Sequence, residues 1–195
     1  MSRIAFRATA VAAVIALLGV GSYAIAGGGS KSFRTHDLNG YQENPDISTV
    51  ATGNFSARLS DDGTKLHYEL SYSGLEGAVA QAHVHFAKPG VNGGISFWLC
   101  ETPGTQSPSA TTPACPVPGG TVEGEITAAE VIGPAGQGIE PLALAEILAA
   151  MRAGHAYANV HTSKFPGGEI RAQIDDRGRG HKGDEGDEGD EGDDD

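Results

Sequence analysis

Lys65-Leu66-His67-Tyr68-Glu69-Leu70-Ser71-Tyr72 sets an apolar or aromatic side chain at every second position, Leu66, Tyr68, Leu70 and Tyr72, with polar residues between them. A period of two belongs to an extended strand with one face on a core. Upstream, Phe55-Ser56-Ala57-Arg58-Leu59 alternates in the same way. Asp61-Asp62-Gly63 supplies turn residues between the two runs, so the pair reads as a β-hairpin. Short runs bounded by Gly or Pro predict further strands at 80–86, 94–99, 120–126, 156–161 and 169–174. One stretch breaks this pattern: 141–152 is made of helix formers, with Pro141 at its start and Gly154 after its end. Thr127 and Glu130 have the spacing of a capping box and predict a short helical turn. The sum is a mainly β domain, an antiparallel Greek-key sandwich or barrel with one short helix crossing an end.

The ends of the chain read differently. Arg3 and Arg7 precede an apolar run over 8–20, and Ala24-Ile25-Ala26 has the small-x-small form of a cleavage site, so 1–26 reads as a signal peptide. At about 13 residues the run falls short of the roughly 20 needed to cross a bilayer, and no membrane span is expected after cleavage. Gly27-Gly28-Gly29-Ser30 opens a flexible leader over 27–34, the domain occupies 35–175, and 176–195 is a low-complexity tail. That tail repeats Gly-Asp-Glu and offers nothing apolar to bury, the composition of a disordered segment.

The formal net charge of −12 comes largely from this tail, whose last twelve residues hold nine acids and no base. No basic stripe is present, which excludes a nucleic-acid partner. An exported protein, secreted or periplasmic, folds where disulfides persist, and the chain has two cysteines, Cys100 and Cys115. They read as a disulfide closing a Pro/Thr/Ser-rich loop; the other reading is a pair of soft metal ligands.

Chemistry concentrates in the histidines. His83 and His85 in Gln81-Ala82-His83-Val84-His85-Phe86 alternate on a strand and share a face, with Cα atoms roughly 6.5–7 Å apart. His161 in Tyr157-Ala158-Asn159-Val160-His161-Thr162 lies on a second strand. One ion could take all three imidazoles, provided their rings converge to within about 4 Å; otherwise these are polar residues on a solvated face. His67 and His155 are additional candidate ligands, the second only with a bend at Gly154 or a bulge; His36, just beyond the leader, and His181 in the tail are not. Tyr157 and Asn159 share the side of His161, where either could hydrogen-bond a metal-bound ring or simply pack and cap.

Two motifs carry a family resemblance. Ala82-His83-Val84-His85 followed by Pro89-Gly90-Val91-Asn92-Gly93-Gly94, and Tyr157-Ala158-Asn159-Val160-His161-Thr162 with Pro166-Gly167-Gly168-Glu169-Ile170-Arg171, resemble the CHRD domain over roughly 35–174. That domain is named for its repeats in chordin, an extracellular protein that binds growth factors. A looser resemblance joins 66–75 and His83-Val84-His85 to the copper-zinc superoxide dismutases, which are Greek-key sandwiches. It implies copper at His83, His85 and His161. No histidine occurs between Phe86 and Gly154, so the zinc site of those enzymes is not expected. Under this resemblance Arg171 guides a small anionic substrate to the metal; its alternative role is a salt bridge to Glu169 or to the tail. Three functions follow: a copper-only dismutase-like oxidoreductase, a non-catalytic extracellular protein-binding module, and a copper buffer or carrier.

Overall fold

The computed structural model describes residues 29–176; the segment read as a signal peptide and the tail beyond Asp176 lie outside the described residues. Eight strands form one antiparallel sheet: β1 (Ser32–Thr35), β2 (Thr52–Leu59), β3 (Leu66–Ser73), β4 (Val79–Phe86), β5 (Gly94–Glu101), β6 (Gly120–Ile126), β7 (Ala156–Thr162) and β8 (Ile170–Asp176). Their order is β5-β4-β7-β8-β1-β2-β3-β6, so β4–β7, β8–β1 and β3–β6 join strands distant in sequence. The sheet curls until its two ends approach, and the Tyr68 hydroxyl of β3 donates to the Leu99 carbonyl of β5 at 2.6 Å. The result is a nearly closed barrel with a single α-helix among the described residues, as the alternation predicts.

The hairpin behaves as read. Leu66, Tyr68, Leu70 and Tyr72 are buried, while His67 and Glu69 face solvent. Phe55, Ala57 and Leu59 opposite them, Ala82 and Val84 of β4, and Ala158 and Val160 of β7 complete the inner face. The helix α1 (Leu144–Arg152) buries Leu144, Ile147, Leu148 and Met151, the i, i+3, i+4, i+7 stripe that seats a helix on a sheet. Thr127 and Glu130 form the expected capping box around a short 3-10 turn.

The first strand starts inside the segment read as leader. β1 pairs with both β2 and β8 in the middle of the sheet, and Phe33 is fully buried. Cys100 and Cys115 form the disulfide, which excludes both from metal ligation; closing a loop of this size contributes about 3 kcal/mol in the chain-entropy view.

One feature of the sheet prepares the site. Every residue of β7 is buried, so the strand has no solvated face. Ala156, Ala158 and Val160 point into the barrel core, and Tyr157, Asn159 and His161 project on the opposite side. That outer face is roofed by the turn at Gly40–Gln42 and the residues that follow it, which reach Arg171 and Asn159 by hydrogen bonds.

Candidate metal centre

Antiparallel register carries the sites together. On β4 and β7, Gln81 lies opposite His161, His83 opposite Asn159, and His85 opposite Tyr157. His161 is therefore a diagonal neighbour of His83 on the same outer face, within reach of a ring. Ring centroids are 5.5 Å apart for His83 and His85, 4.9 Å for His83 and His161, and 5.9 Å for His85 and His161. One nitrogen from each lies within 4.8 Å of the others. Two nitrogens on opposite sides of one ion, each at roughly 2.0–2.1 Å, stand about 4.2 Å apart. The cluster is thus wider than the 4 Å criterion, so an entering ion must draw the rings inward.

Hydrogen bonds aim the rings. His85 Nδ1 is 3.0 Å from the Gly93 carbonyl and His161 Nδ1 is 3.0 Å from the Pro166 carbonyl. A carbonyl can only accept, so both protons sit on Nδ1 and each Nε2 presents a lone pair. Those two Nε2 atoms, and both nitrogens of His83, are buried without a hydrogen-bond partner. A buried polar atom left alone costs about 1–3 kcal/mol. A metal ion would satisfy one such nitrogen on each of the three rings, three of the four atoms, and the donor set fits one.

Burial also sets protonation. His83 is fully buried and its pKa is pushed down to about 2, by desolvation first and then by the charges of His161 and His85. Desolvation takes His85 down to about 4, against the opposing hydrogen bond to Gly93, and lowers His161 as well. The cluster is neutral, hence ligand-ready, at physiological pH. The metal-free protein should in consequence lose stability in acid. Above pH 6.5 the imidazoles are neutral whether folded or not and contribute nothing. Below it the unfolded chain takes up protons that His83 and His85 refuse in the folded chain, at about 1.4 kcal/mol per histidine per pH unit down to about pH 4, and His161 acts in the same direction. Glu43, whose pKa is raised from 4.5 to about 7, works in the opposite sense between those values and offsets about one histidine, leaving a net loss in acid. Urea denaturation at pH 7, 6 and 5 checks this: a falling midpoint is expected, and a flat one would mean that the rings are not held neutral.

Tyr157 and Asn159 do not hydrogen-bond the imidazoles; backbone carbonyls hold His85 and His161, and His83 has no hydrogen-bond partner. Tyr157 stacks on His85 at 4.8 Å with the planes 4° apart, and its hydroxyl accepts from the Gly93 amide at 3.2 Å. Asn159 donates to Glu43 at 2.6 Å and to the Ile170 carbonyl at 3.0 Å. Arg171 is buried with its guanidinium carbon 4.5 Å from the Tyr157 ring centroid. It donates to the Gln42 carbonyl and, at 2.9 Å, to Asn92 Oδ1. Glu169 is not its partner, since that carboxylate accepts from Thr49, Thr162 and the Glu76 amide.

His67 and His155 do not join the cluster. His67 sits on β3, separated from β4 in the sheet by β2, β1, β8 and β7, with its Nδ1 3.5 Å from Glu125 Oε2. His155 is exposed in the turn before β7, where its amide donates to the Ala150 carbonyl at the end of α1. Two residues escaped the sequence reading. Trp98, opposite His83 on β5, packs edge-on against it at 4.3 Å, with a buried, unpartnered Nε1. Glu43 is a buried carboxyl in the roof.

Barrel and cluster together define a class: a small antiparallel β-domain bearing a buried three-histidine site on the outer face of its sheet. The model of the CHRD domain matches residues 34–174, well over half of the chain, and the protein belongs to the CHRD domain family. No curated protein and no solved structure matches it.

Proposed function

We propose that this chain is an exported copper protein whose ion is held by His83, His85 and His161, and that it removes superoxide as a copper-only dismutase does. The observation that carries the reading is the set of buried, unpartnered nitrogens on three converging neutral imidazoles. Imidazole donors suit copper, and divalent copper heads the affinity order of the first-row ions. Bound there, copper would supply a one-electron couple that superoxide can reduce and oxidise in turn.

The chain's own residues prepare the site. The Gly93 and Pro166 carbonyls fix two rings, Tyr157 packs flat on His85, and burial keeps the donors free of protons. Arg171 adds positive potential that favours a small anion. With Nε held by Gln42 and Nη1 by Asn92, it acts chiefly through its field. The disulfide and the signal-like segment 1–26 support a secreted or periplasmic location.

A second reading, a copper buffer or carrier, is favoured by the enclosure of the rings, which are only 0 %, 7 % and 6 % exposed for His83, His85 and His161. Superoxide removal by copper-loaded protein, measured beside a His85→Ala variant, separates the two. The wild type is expected to be faster by more than about tenfold, on the scale of a lost metal-site interaction. Equal rates with copper still bound would end the enzymatic reading and leave the carrier or a protein-binding module.

A further inference from the structure

The three imidazoles bring no negative charge to a cation. A divalent ion among them would sit in a region from which water is excluded, with the Arg171 guanidinium already present over Tyr157. Such a concentration of positive charge is costly in a poorly solvated place unless an anion lies close. Among the described residues the buried carboxyls are Glu43 and Glu169. Glu169 is tied up by three hydrogen bonds, from Thr49, Thr162 and the Glu76 amide.

Glu43 is differently placed. One of its oxygens accepts from Asn159 Nδ2 at 2.6 Å, and Asn159 lies opposite His83 on one side of β7 and opposite Arg171 on the other. Its carboxyl also rests on Gly168, where a Cβ would fall 2.7 Å and 2.8 Å from its two oxygens. Gly168 is two residues beyond Pro166, whose carbonyl aims His161. Two routes therefore join the carboxyl to the metal cluster: its hydrogen bond to Asn159, the cross-strand partner of His83, and its contact with the 166–168 turn, whose Pro166 carbonyl holds His161.

We propose that Glu43 is the counter-charge of the metal centre, giving up a proton when a divalent cation enters the His83, His85 and His161 cluster and regaining it when the cation leaves. This rests on reading the cluster as a metal site. The charged and titratable groups that act on or are acted on by Glu43 are Arg171 on β8 and Tyr157 on β7. Desolvation raises its pKa to about 7, while Arg171 and Asn159 pull it down. Without metal, then, the carboxyl is close to half protonated at neutral pH, and an arriving cation tips it to the anion. The device also selects by charge, since a monovalent ion gains less from the carboxylate than a divalent one.

The histidines make the test clean, because ligands already neutral at pH 7 release no protons on binding. Calorimetric titration of the metal-free full chain with Cu2+, in two buffers of different ionisation enthalpy at pH 7, counts the protons released. Zn2+ serves as a redox-inert control. The wild type should release roughly half a proton per ion at pH 7 and more at pH 6.5. Glu43→Gln keeps an oxygen for Asn159 and should release none, with Cu2+ binding about tenfold weaker, the cost of one lost charge partner. Stoichiometric binding with no proton release by the wild type, or with equal release by the variant, would overturn the role of Glu43 and leave the metal site standing. Failure of the wild type to bind either ion would overturn both. The proton count of the wild type at the two pH values requires no variant to fold.

Discussion

A His83→Leu variant should lose stoichiometric copper binding, its affinity falling by more than about 100-fold, and yet be more stable than the wild type when both are metal-free. The first half follows from removing one of three donors, since disturbing even an outer partner of a metal ligand costs roughly 10–100-fold. The second half follows from the orphaned nitrogens. His83 is fully buried and neither of its nitrogens has a hydrogen-bond partner. Leucine fills much of the same space with no polar atom to desolvate, so the metal-free fold should gain about 1–2 kcal/mol. A histidine kept for packing alone would give the opposite sign. Both halves can be read in one sample. Trp98 is the chain's one tryptophan and lies 4.3 Å from the His83 ring, so copper entering the wild-type site should quench its fluorescence, and the same signal follows unfolding in urea. A leucine variant that still binds copper tightly, or that melts earlier without metal, would remove His83 from the site.

This opposition between stability and binding bears on what the sequence can reveal. The strand hairpin was legible because Leu66, Tyr68, Leu70 and Tyr72 obey a local period and meet a local consequence, burial on one face. His83 and His85 were legible for the same reason, since two positions apart on a strand is a statement about direction. His161 needed long-range pairing, and the family motif supplied it. β1 was not visible because four residues are too few to display a period, even with Phe33 at the centre of the sheet. Glu43 lies in an irregular stretch where nothing marks a carboxyl as buried; only the folding of that stretch over β7 makes it so. Trp98 reaches His83 through a register that shifts twice between β4 and β5, and such irregularities cannot be counted from the chain. The excluded candidates, His67 and His155, fail on sheet order and on a turn, which are likewise properties of the whole fold.

Gly93→Ala should damage the fold and the site together, whereas Gly90→Ala in the same loop should spare the site. At position 93 a Cβ would fall 1.9 Å from the Phe86 carbonyl oxygen, 2.6 Å from its carbon and 2.9 Å from Ala87 Cβ. Backbone cannot yield as a flexible side chain does, so the loop must move away from the end of β4. Overpacking of this kind costs about 1–3 kcal/mol. The loop holds two fixtures of the site: the Gly93 carbonyl accepts from His85 Nδ1, and the Gly93 amide donates to the Tyr157 hydroxyl beneath the His85 stack. Displacing it frees His85 to rotate and take the other tautomer, which turns its lone pair away from His83 and His161. Copper affinity should then fall by about 10–100-fold, as when other metal ligands lose their orienting partner. Gly90 has a φ of +73° with nothing within 4 Å of an added Cβ. Alanine there pays only the left-handed backbone strain of about 1–2 kcal/mol and should bind copper as the wild type does. Urea denaturation gives the stability of each variant, and Trp98 quenching gives the copper affinity. If Gly93→Ala loses stability but binds copper normally, the Gly93 carbonyl does not aim His85; if both variants lose copper alike, the loop matters for folding rather than for the orientation of one ring.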